Sequence, residues 1–182
     1  MRVRLSLLLI LVLAACAPAP KARPEPAAVS EPPKVLLHLV RPGDTLYRVA
    51  LYFGVSVEAL MQANGLTDTR IVPGQRLVYP WPKEARFYER GEASWYGPGF
   101  HGRRTANGEI FDQEALTAAH PRLPFGTQVL VRREDTGETV VVRINDRGPF
   151  KKGRIIDLSY AAARAIGLDH SGTALVSLYI LP

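Results

Sequence analysis

Residues 140–150 read V-V-V-R-I-N-D-R-G-P-F, and this stretch decides how the second half of the chain is interpreted. Its β-branched start predicts a strand over Thr139 to Ile144. The strand is expected to break at Asn145, because Asn, Asp, Gly and Pro favour a turn. Asp146 therefore stands at a strand end, where it either stabilises its own turn or faces a cleft as an acid.

Short strand-like runs surround this stretch, and Gly and Pro turns separate them, as in a small barrel or sandwich. Gln113 to Ala119 is expected to form one helical turn. Ser159 to Ile166 predicts a clearer helix, with a Ser cap, an Ala-rich body and a Gly stop. The second half is thus predicted to be mainly β with one principal helix. The strand-like runs are 92–96, 128–132, 139–144 and 174–180.

The first half predicts a separate small unit over residues 35–80. Strand-like runs open and close it, at Val35 to Val40 and Arg76 to Tyr79, and two amphipathic helical patterns lie between them. Residues 81–90 lose both periodicities and are interpreted as a linker to the second unit, 91–182. The order of elements in the first unit is therefore βααβ.

Both predicted helices have start and stop signals. Asp44 is expected to cap the first, because its carboxylate can accept the unpaired amides of the first turn, and Gly54 ends it. Ser56 caps the second helix, and Asn64-Gly65 stops it. For the side chains of Asp44 and Ser56, capping is favoured over a role in binding.

The N-terminus predicts export. Arg2 and Arg4 precede an apolar run shorter than the ~20 residues that cross a bilayer, and small residues follow it. Residues 1–15 are therefore predicted to be a signal peptide, the leader, that is removed on export. Cys16 follows the leader directly. It is the only cysteine, so no intramolecular disulfide is available. Residues 16–34 are rich in Pro and Ala and are expected to form an extended tether.

The charge balance narrows the range of partners. The formal net charge is +6, and removal of the leader with its two arginines leaves +4. A moderately basic exported protein suits an anionic wall or membrane surface, and nucleic acid is not expected as a partner. No metal and no cofactor are expected. The histidines lack metalloprotease spacing, and the single cysteine lies at the end of the signal sequence, away from any other candidate ligand.

Four titratable side chains at strand ends and loops are the candidates for chemistry. Each also has a simpler interpretation. Glu109 follows an Asn-Gly turn, His120 suits a loop histidine bonded to backbone, and Asp157 precedes a predicted helix start. The fourth candidate is Asp146. A general acid needs a pKa near the operating pH, and neighbouring carboxylates favour its protonated form, whereas inward-pointing arginines oppose it.

The first unit carries three short motifs, G-D-T-L at 43–46, N-G-L at 64–66 and I-V-P-G-Q at 71–75. With these motifs it resembles a LysM module across its whole length. The resemblance implies binding of glycans that contain N-acetylglucosamine, chiefly peptidoglycan or chitin, between two loops. The implied contacts are Gly43, Asp44, Thr45, Asn64, Leu66 and Ile71.

The second unit carries a series of short motifs in a fixed order. They are S-W-Y-G at 94–97, R-R-T-A-N-G-E at 103–109, T-A-A-H at 117–120, L-P-F-G-T at 123–127, R-I-N-D-R-G-P at 143–149 and R-I-I-D-L-S at 154–159. With these motifs the unit is similar to the rare lipoprotein A (RlpA) family over nearly its whole core. The resemblance implies a six-stranded double-psi β-barrel related to the expansin barrels, and peptidoglycan lytic transglycosylase activity.

The resemblance also implies roles for individual residues. Asp146 corresponds to the main catalytic acid, and Asp157 is a rival for that role. Glu109 and His120 are the implied partners of the acid. Trp95 and Tyr96 suit stacking on a sugar face, although Trp95 suits core packing nearly as well. The implied substrate contacts in the barrel are Trp95, Tyr96, Thr105 and Asn107.

Leu13-Ala14-Ala15-Cys16 looks like a bacterial lipobox. It implies a lipid on Cys16 and an anchor in the cell envelope, at the outer membrane facing the periplasm. Two functions stay open. One is cleavage of glycan strands that leaves 1,6-anhydro-N-acetylmuramic acid ends. The other is a non-catalytic, expansin-like protein that binds or tethers the wall, because a fold alone does not establish catalysis.

Overall fold

The computed structural model describes residues 34–182, so the predicted leader, Cys16 and the tether up to residue 33 lie outside the described residues. Within residues 34–182 no helix is both long and apolar enough to cross a membrane. The elements in chain order are β1 Val35–Leu39, α1 Leu46–Phe53, α2 Val57–Asn64, β2 Arg76–Pro80, β3 Arg86–Trp95, a 3-10 turn Pro98–Phe100, β4 Thr117–Ala119, β5 Gln128–Arg133, β6 Thr139–Asp146, β7 Arg154–Leu158, α3 Tyr160–Ala165, α4 Leu168–Ser171 and β8 Thr173–Ile180.

Strands β3 to β8 close into a six-stranded barrel in the order β3-β7-β4-β6-β5-β8. The pairs β3/β7 and β4/β6 are parallel, and the other neighbouring pairs are antiparallel. Apolar side chains such as Val129, Ile144 and Leu178 are fully buried in the core. The predicted fold class, a mainly β chain with a six-stranded double-psi barrel and a βααβ unit, is confirmed.

The structure differs from the prediction at three places in the barrel. The helical turn predicted over 113–119 is wrong, because residues 117–119 form β4, buried between β6 and β7, and this pairing overrides the helix propensity of alanine. Strand β3 begins at Arg86, so residues 86–90 of the interpreted linker pair with β8. Strand β6 continues through Asp146 instead of breaking at Asn145.

The βααβ unit forms as its sequence pattern predicts. Strands β1 and β2 pair antiparallel, and Leu36, Leu60 and Leu77 are fully buried between this sheet and the helices. Both helices end at glycines in the left-handed conformation, Gly54 with φ 67° and Gly65 with φ 63°, where a side chain would be strained.

The predicted cap of α1 is wrong, whereas that of α2 is confirmed. Thr45, not Asp44, caps α1, and its hydroxyl accepts the N–H of Arg48 at 3.2 Å. Ser56 caps α2 as predicted. Asp44 is drawn away from the helix start because its carboxylate has stronger partners inside the protein.

Those partners form a buried charged cluster. Asp44, with a side chain only 1% exposed, accepts from His38 Nε2 at 2.8 Å and from the backbone N–H of Arg41 at 2.8 Å. Arg164 of the barrel lies 3.8 Å from the same carboxylate. Burial opposes the charge, but these hydrogen bonds outweigh burial and lower the pKa of Asp44.

The same region joins the βααβ unit to the barrel. The Nδ1 of His38 donates to the carbonyl of Ala165 at 3.1 Å, and Arg41 bonds to Glu138 at 2.6 Å. The N–H of Leu37 donates to the hydroxyl of Thr139 at 3.2 Å. One hydrophobic core runs through both parts, so the described residues form a single compact unit.

We predict that Asp44→Asn lowers the free energy of unfolding by about 2–4 kcal/mol, because it leaves His38 without its charged partner. The folded-state pKa of Asp44 is lowered, so its contribution is fully present above the ordinary value of 3.8 and is lost as the pH falls through the folded-state value. The difference in free energy of unfolding between wild type and variant should therefore shrink at acidic pH. Urea unfolding at several pH values measures this difference.

The matched control is Asp68→Asn, which removes an exposed carboxylate paired only with Arg70. It should change the free energy of unfolding little. Equal destabilisation by the two variants would contradict the role given to the buried cluster.

Candidate functional site

Asp146 ends β6, and its carboxylate is anchored through one oxygen only. Oδ1 accepts the backbone N–H groups of Ala106 and Arg147, each at 2.8 Å. No donor within residues 34–182 bonds to Oδ2. Because the residue is half-buried at a strand end, Oδ2 is the oxygen that can meet a bound substrate.

Strand β4 brings Asp157 beside Asp146. Ala119 pairs with Asp146 of β6 on one side and with Asp157 of β7 on the other. Neighbouring strands are about 4.8 Å apart, so the two aspartate Cα atoms are roughly 10 Å apart. Residues aligned across strands share a face, and a Cβ placed on Gly148 would lie 3.9 Å from both Ala119 Cβ and Asp157 Oδ2. The two carboxylates therefore lie on the same face of the barrel, on either side of Ala119.

A small polar cluster holds Asp157. The hydroxyl of Ser94 donates to Asp157 Oδ1, and Arg154 donates to Ser94 Oγ at 2.6 Å. The guanidinium of Arg154 is 3.8 Å from Asp157 Oδ1. Sequence reasoning missed Ser94 and Arg154 as site residues. Their only signal is their position in the S-W-Y-G and R-I-I-D-L-S segments.

Glu109 forms a two-point ion pair with Arg143. Its two oxygens accept from Nη1 and Nη2 at 2.7 and 2.9 Å, and Asn145 Nδ2 adds a contact at 3.3 Å. These bonds, led by those from Arg143, lower the pKa of Glu109 to about 2. Glu109 therefore carries no proton to donate at neutral pH.

The ring of His120 is fully buried and both nitrogens are occupied. Nδ1 accepts backbone N–H groups from Arg122 and Leu123 at 3.1 and 2.9 Å, so the proton lies on Nε2, which faces Glu89 at 2.6 Å. Burial lowers the pKa of His120, with Glu89 opposing. Only the backbone of His120 reaches Asp146, where its N–H donates to the carbonyl oxygen at 3.1 Å.

The two arginines beside Asp146 in sequence turn away from its carboxylate. Arg143 is paired with Glu109. Arg147 donates to the carbonyl of Leu123 at 2.9 Å, and its guanidinium lies 3.7 Å from the ring centre of Phe125. In the described part of the chain, no guanidinium lies within 4 Å of the Asp146 carboxylate.

The two aromatic residues predicted to touch substrate pack against other rings. Trp95 is half-buried, with its ring centre 5.6 Å from that of Tyr160. Tyr96 packs 4.4 Å from Phe111. Burial raises the pKa of Tyr96, and the negative charges of Asp146 and Asp157 add to this, so the phenol lies near both carboxylates.

Thr105 and Asn107 shape the turn that supports Asp146. The hydroxyl of Thr105 donates to Asn107 Oδ1 at 2.6 Å, and the same oxygen accepts the N–H of Glu109 at 3.0 Å. This network fixes the turn whose Ala106 N–H binds Asp146. The structure therefore gives both side chains contacts within the protein.

A second candidate site is a groove of about 450 Å³ in the βααβ unit, which we call the LysM groove. Of the predicted glycan contacts, Asp44, Thr45 and Ile71 line it. Asn64 bonds instead to the backbone of Leu60 and Val78. Two further predicted contacts lie outside its lining: Leu66 packs against the core, and Gly43 borders a neighbouring groove.

Comparison with known proteins assigns the barrel. A family model described as lytic transglycolase matches residues 88–178, half of the chain. The chain belongs to the lytic transglycolase family. A second model, for the LysM domain, matches residues 38–80. In the described range 34–182, no three His, Cys, Asp or Glu side chains are grouped so that they could hold a metal ion.

Curated relatives confirm the predicted relation of this chain to the RlpA family. A protein of Synechocystis sp. named "Probable endolytic peptidoglycan transglycosylase RlpA" is 68% identical over 50% of this chain and 28% of its own length. RlpA of Vibrio cholerae is 56% identical over 52% of this chain and 36% of its own length. RlpA of Neisseria meningitidis is 42% identical over 74% of this chain and 60% of its own length. The chain thus spans less than two thirds of each of these relatives.

Two solved structures are also similar. The Streptomyces papain inhibitor is 21% identical over 53% of this chain and 97% of its own, with a TM-score of 0.42. An expansin of Clavibacter michiganensis is 22% identical over 51% of this chain and 50% of its own, with a TM-score of 0.42.

We predict that the Glu109 carboxyl titrates near pH 2, instead of at its ordinary 4.5, because Arg143 stabilises the ionised form. Carbon-13 NMR of the glutamate carboxyls measures the midpoint. Arg143→Ala should raise it toward 4.5, whereas Arg103→Ala, at a neighbouring arginine stacked on Phe100, should leave it unchanged. A wild-type midpoint near 4.5 would show that the pair does not form in solution.

Proposed function

We propose that this chain binds peptidoglycan and cleaves its glycan strands as an endolytic lytic transglycosylase. The observation that carries the proposal is the geometry of Asp146, with one carboxylate oxygen held by two backbone N–H groups and the other free. Membership of the lytic transglycolase family and the names of the curated relatives support the same activity.

In the proposed reaction, Asp146 is the acid and then the base. Its carboxyl group donates a proton to the oxygen that joins C1 of N-acetylmuramic acid to N-acetylglucosamine, and the C1–O bond breaks. The 6-hydroxyl of the same muramic acid attacks C1 and returns its proton to Asp146. The products are a 1,6-anhydro-N-acetylmuramic acid end and a free hydroxyl on N-acetylglucosamine. One acid/base suffices because the nucleophile belongs to the substrate, unlike the paired carboxylates of hydrolysis.

The surroundings of the other candidates support different roles. Asp157 stays the rival acid, but its Oδ1 is occupied by Ser94, with Arg154 nearby, which favours Asp146 as the donor. Asp157 then serves as the second negative charge beside an oxocarbenium-like centre. We propose Glu109 and His120 as positioning residues, which hold the turns on either side of Asp146.

We propose that residues 35–80 are the glycan-binding domain and that 91–182 are the catalytic domain. The matched ranges 38–80 and 88–178 support this division. The LysM groove, with Thr45 and Ile71 in its wall, is the proposed site for an N-acetylglucosamine unit. Trp95 and Tyr96 are proposed to contact sugar through their remaining exposed edges.

We further propose that the protein works in the cell envelope, anchored through a lipid on Cys16 in the outer membrane and facing the periplasm. Association with peptidoglycan is supported by the LysM and lytic transglycolase domains. The lipobox-like Leu13-Ala14-Ala15-Cys16 supports the anchor. Mass spectrometry of the protein extracted from membranes would test the lipid on Cys16, and an unmodified thiol there would contradict it.

We predict that the full chain, purified in detergent, releases fragments with 1,6-anhydro-N-acetylmuramic acid ends from purified sacculi. Asp146→Asn should lower the rate at least about a hundredfold, because the amide cannot transfer the proton. Binding to sacculi should survive, since the LysM groove is untouched. Mass spectrometry of fragments from intact sacculi and from sacculi stripped of stem peptides measures both substrates.

Asp135→Asn is the matched control, because this exposed acid lies on the turn between β5 and β6 and pairs with Arg133. It should retain activity. Asp157→Asn in parallel assigns the acid, and a greater loss there than with Asp146→Asn would reverse our assignment. Plain reducing ends would mean hydrolysis. Binding without any cleavage would favour the non-catalytic, wall-binding alternative.

A further inference from the structure

A second groove lies where α1 meets the barrel, and we call it the bridging groove. Its volume is about 370 Å³. One wall is α1, with Tyr47 and Arg48. The other is formed by α3, with Ala161 and Arg164, and by the turn that carries Glu114.

The walls of the bridging groove are fixed by buried contacts, so the groove does not depend on a ligand to form. Arg164 reaches the buried carboxylate of Asp44 at 3.8 Å. His38 links that carboxylate to the carbonyl of Ala165, at the end of α3. The helix that carries Arg48 and the helix that carries Arg164 are therefore held side by side.

The bridging groove adjoins the LysM groove, and its other end reaches α3, the helix that follows β7. Thr45 and Tyr47 line both grooves, and Tyr47 is 66% exposed where they meet. At the other end, Ala161 follows Tyr160, whose ring contacts Trp95. Trp95 is the residue after Ser94, which holds Asp157. A glycan that leaves the LysM groove along this path passes through the bridging groove.

The bridging groove carries an excess of positive charge. Arg48 and Arg164 both line it. Within residues 34–182, no carboxylate lies within 4 Å of the Arg48 guanidinium, and Arg164 has only the 3.8 Å contact to Asp44. Glu114 is the one acid in the lining, and it opposes the two arginines. Because Arg164 already faces the Asp44 carboxylate, Arg48 is the cation that can pair with an anionic ligand in this groove.

We propose that the bridging groove binds a carboxylate of a muramic acid residue while the adjacent N-acetylglucosamine occupies the LysM groove. The carboxylate belongs either to the lactyl group of a bare glycan or to a stem peptide. The inference rests on the proposed glycan binding and deepens it. Chitin lacks such a carboxylate, so this groove lets the chain prefer peptidoglycan over chitin.

The test measures affinity by calorimetry with the full chain in detergent, carrying Asp146→Asn so that the ligand is not cleaved. The three ligands are chitohexaose, a peptidoglycan tetrasaccharide without stem peptides, and the same tetrasaccharide with stem peptides. Arg48→Gln should weaken binding of a muramic acid ligand about fivefold and leave chitohexaose unchanged. Glu114→Gln should strengthen binding of that ligand about twofold.

The arms of the experiment identify the source of the carboxylate. Weakening by Arg48→Gln for both tetrasaccharides supports the lactyl group, and weakening for the peptide-bearing ligand alone supports the stem peptide. Equal effects on all three ligands, or none, would overturn the bridging-groove inference while glycan binding stands. If the protein that carries Asp146→Asn alone binds none of them, the proposed glycan binding fails, and the inference fails with it. Unchanged chitohexaose affinity also shows that each variant is folded.

Discussion

The pairing of Ala119 with Asp146 on one side and Asp157 on the other is the constraint on which the candidate site depends. Strand β4 has only three residues, yet it lies between β6 and β7 and sets their register. A slip of one residue would turn every side chain of a strand to the opposite face. Because the barrel closes around β4, the two carboxylates are held on one face by backbone hydrogen bonds, without a direct bond between their side chains.

Two aspartates on one face of the barrel can take different roles because their surroundings differ. Asp157 is bound by a hydroxyl, with the guanidinium of Arg154 nearby, whereas Asp146 is held through backbone N–H groups and keeps one oxygen free. Separating the environments of neighbouring carboxylates is how proteins divide proton transfer from charge stabilisation. Glu109 adds little negative charge near Asp146, because Arg143 neutralises it.

The buried contact between His38 and Asp44 helps to hold the LysM domain against the barrel. A buried carboxylate is costly unless it is satisfied, and here Asp44 and both His38 nitrogens have partners from two parts of the chain. The LysM domain is consequently fastened to the barrel instead of hanging from a flexible linker. In the proposed function, a glycan bound in the LysM groove is presented to the barrel from a defined direction, because the path between them is rigid.

The sequence by itself determined the elements whose signals are local. Residue type and spacing are enough to predict the helix stops at Gly54 and Gly65, the Ser56 cap and the β-branched strand β6. The segments that match known families indicate the fold class. Candidate acids at strand ends were also recognisable, because short polar motifs such as R-I-N-D-R-G-P interrupt apolar runs.

Only the tertiary structure decided which side chains meet. Residues 117–119 have helix-favouring alanines, and their strand pairing depends on β6 and β7, which are distant in sequence. His120 is occupied by Glu89, and Asp44 by His38, through contacts that no local pattern encodes. The inward or outward direction of Arg143 and Arg147 was equally open in the sequence. These outcomes depend on long-range packing and electrostatics, which exist only once the barrel has closed and the LysM domain has docked against it.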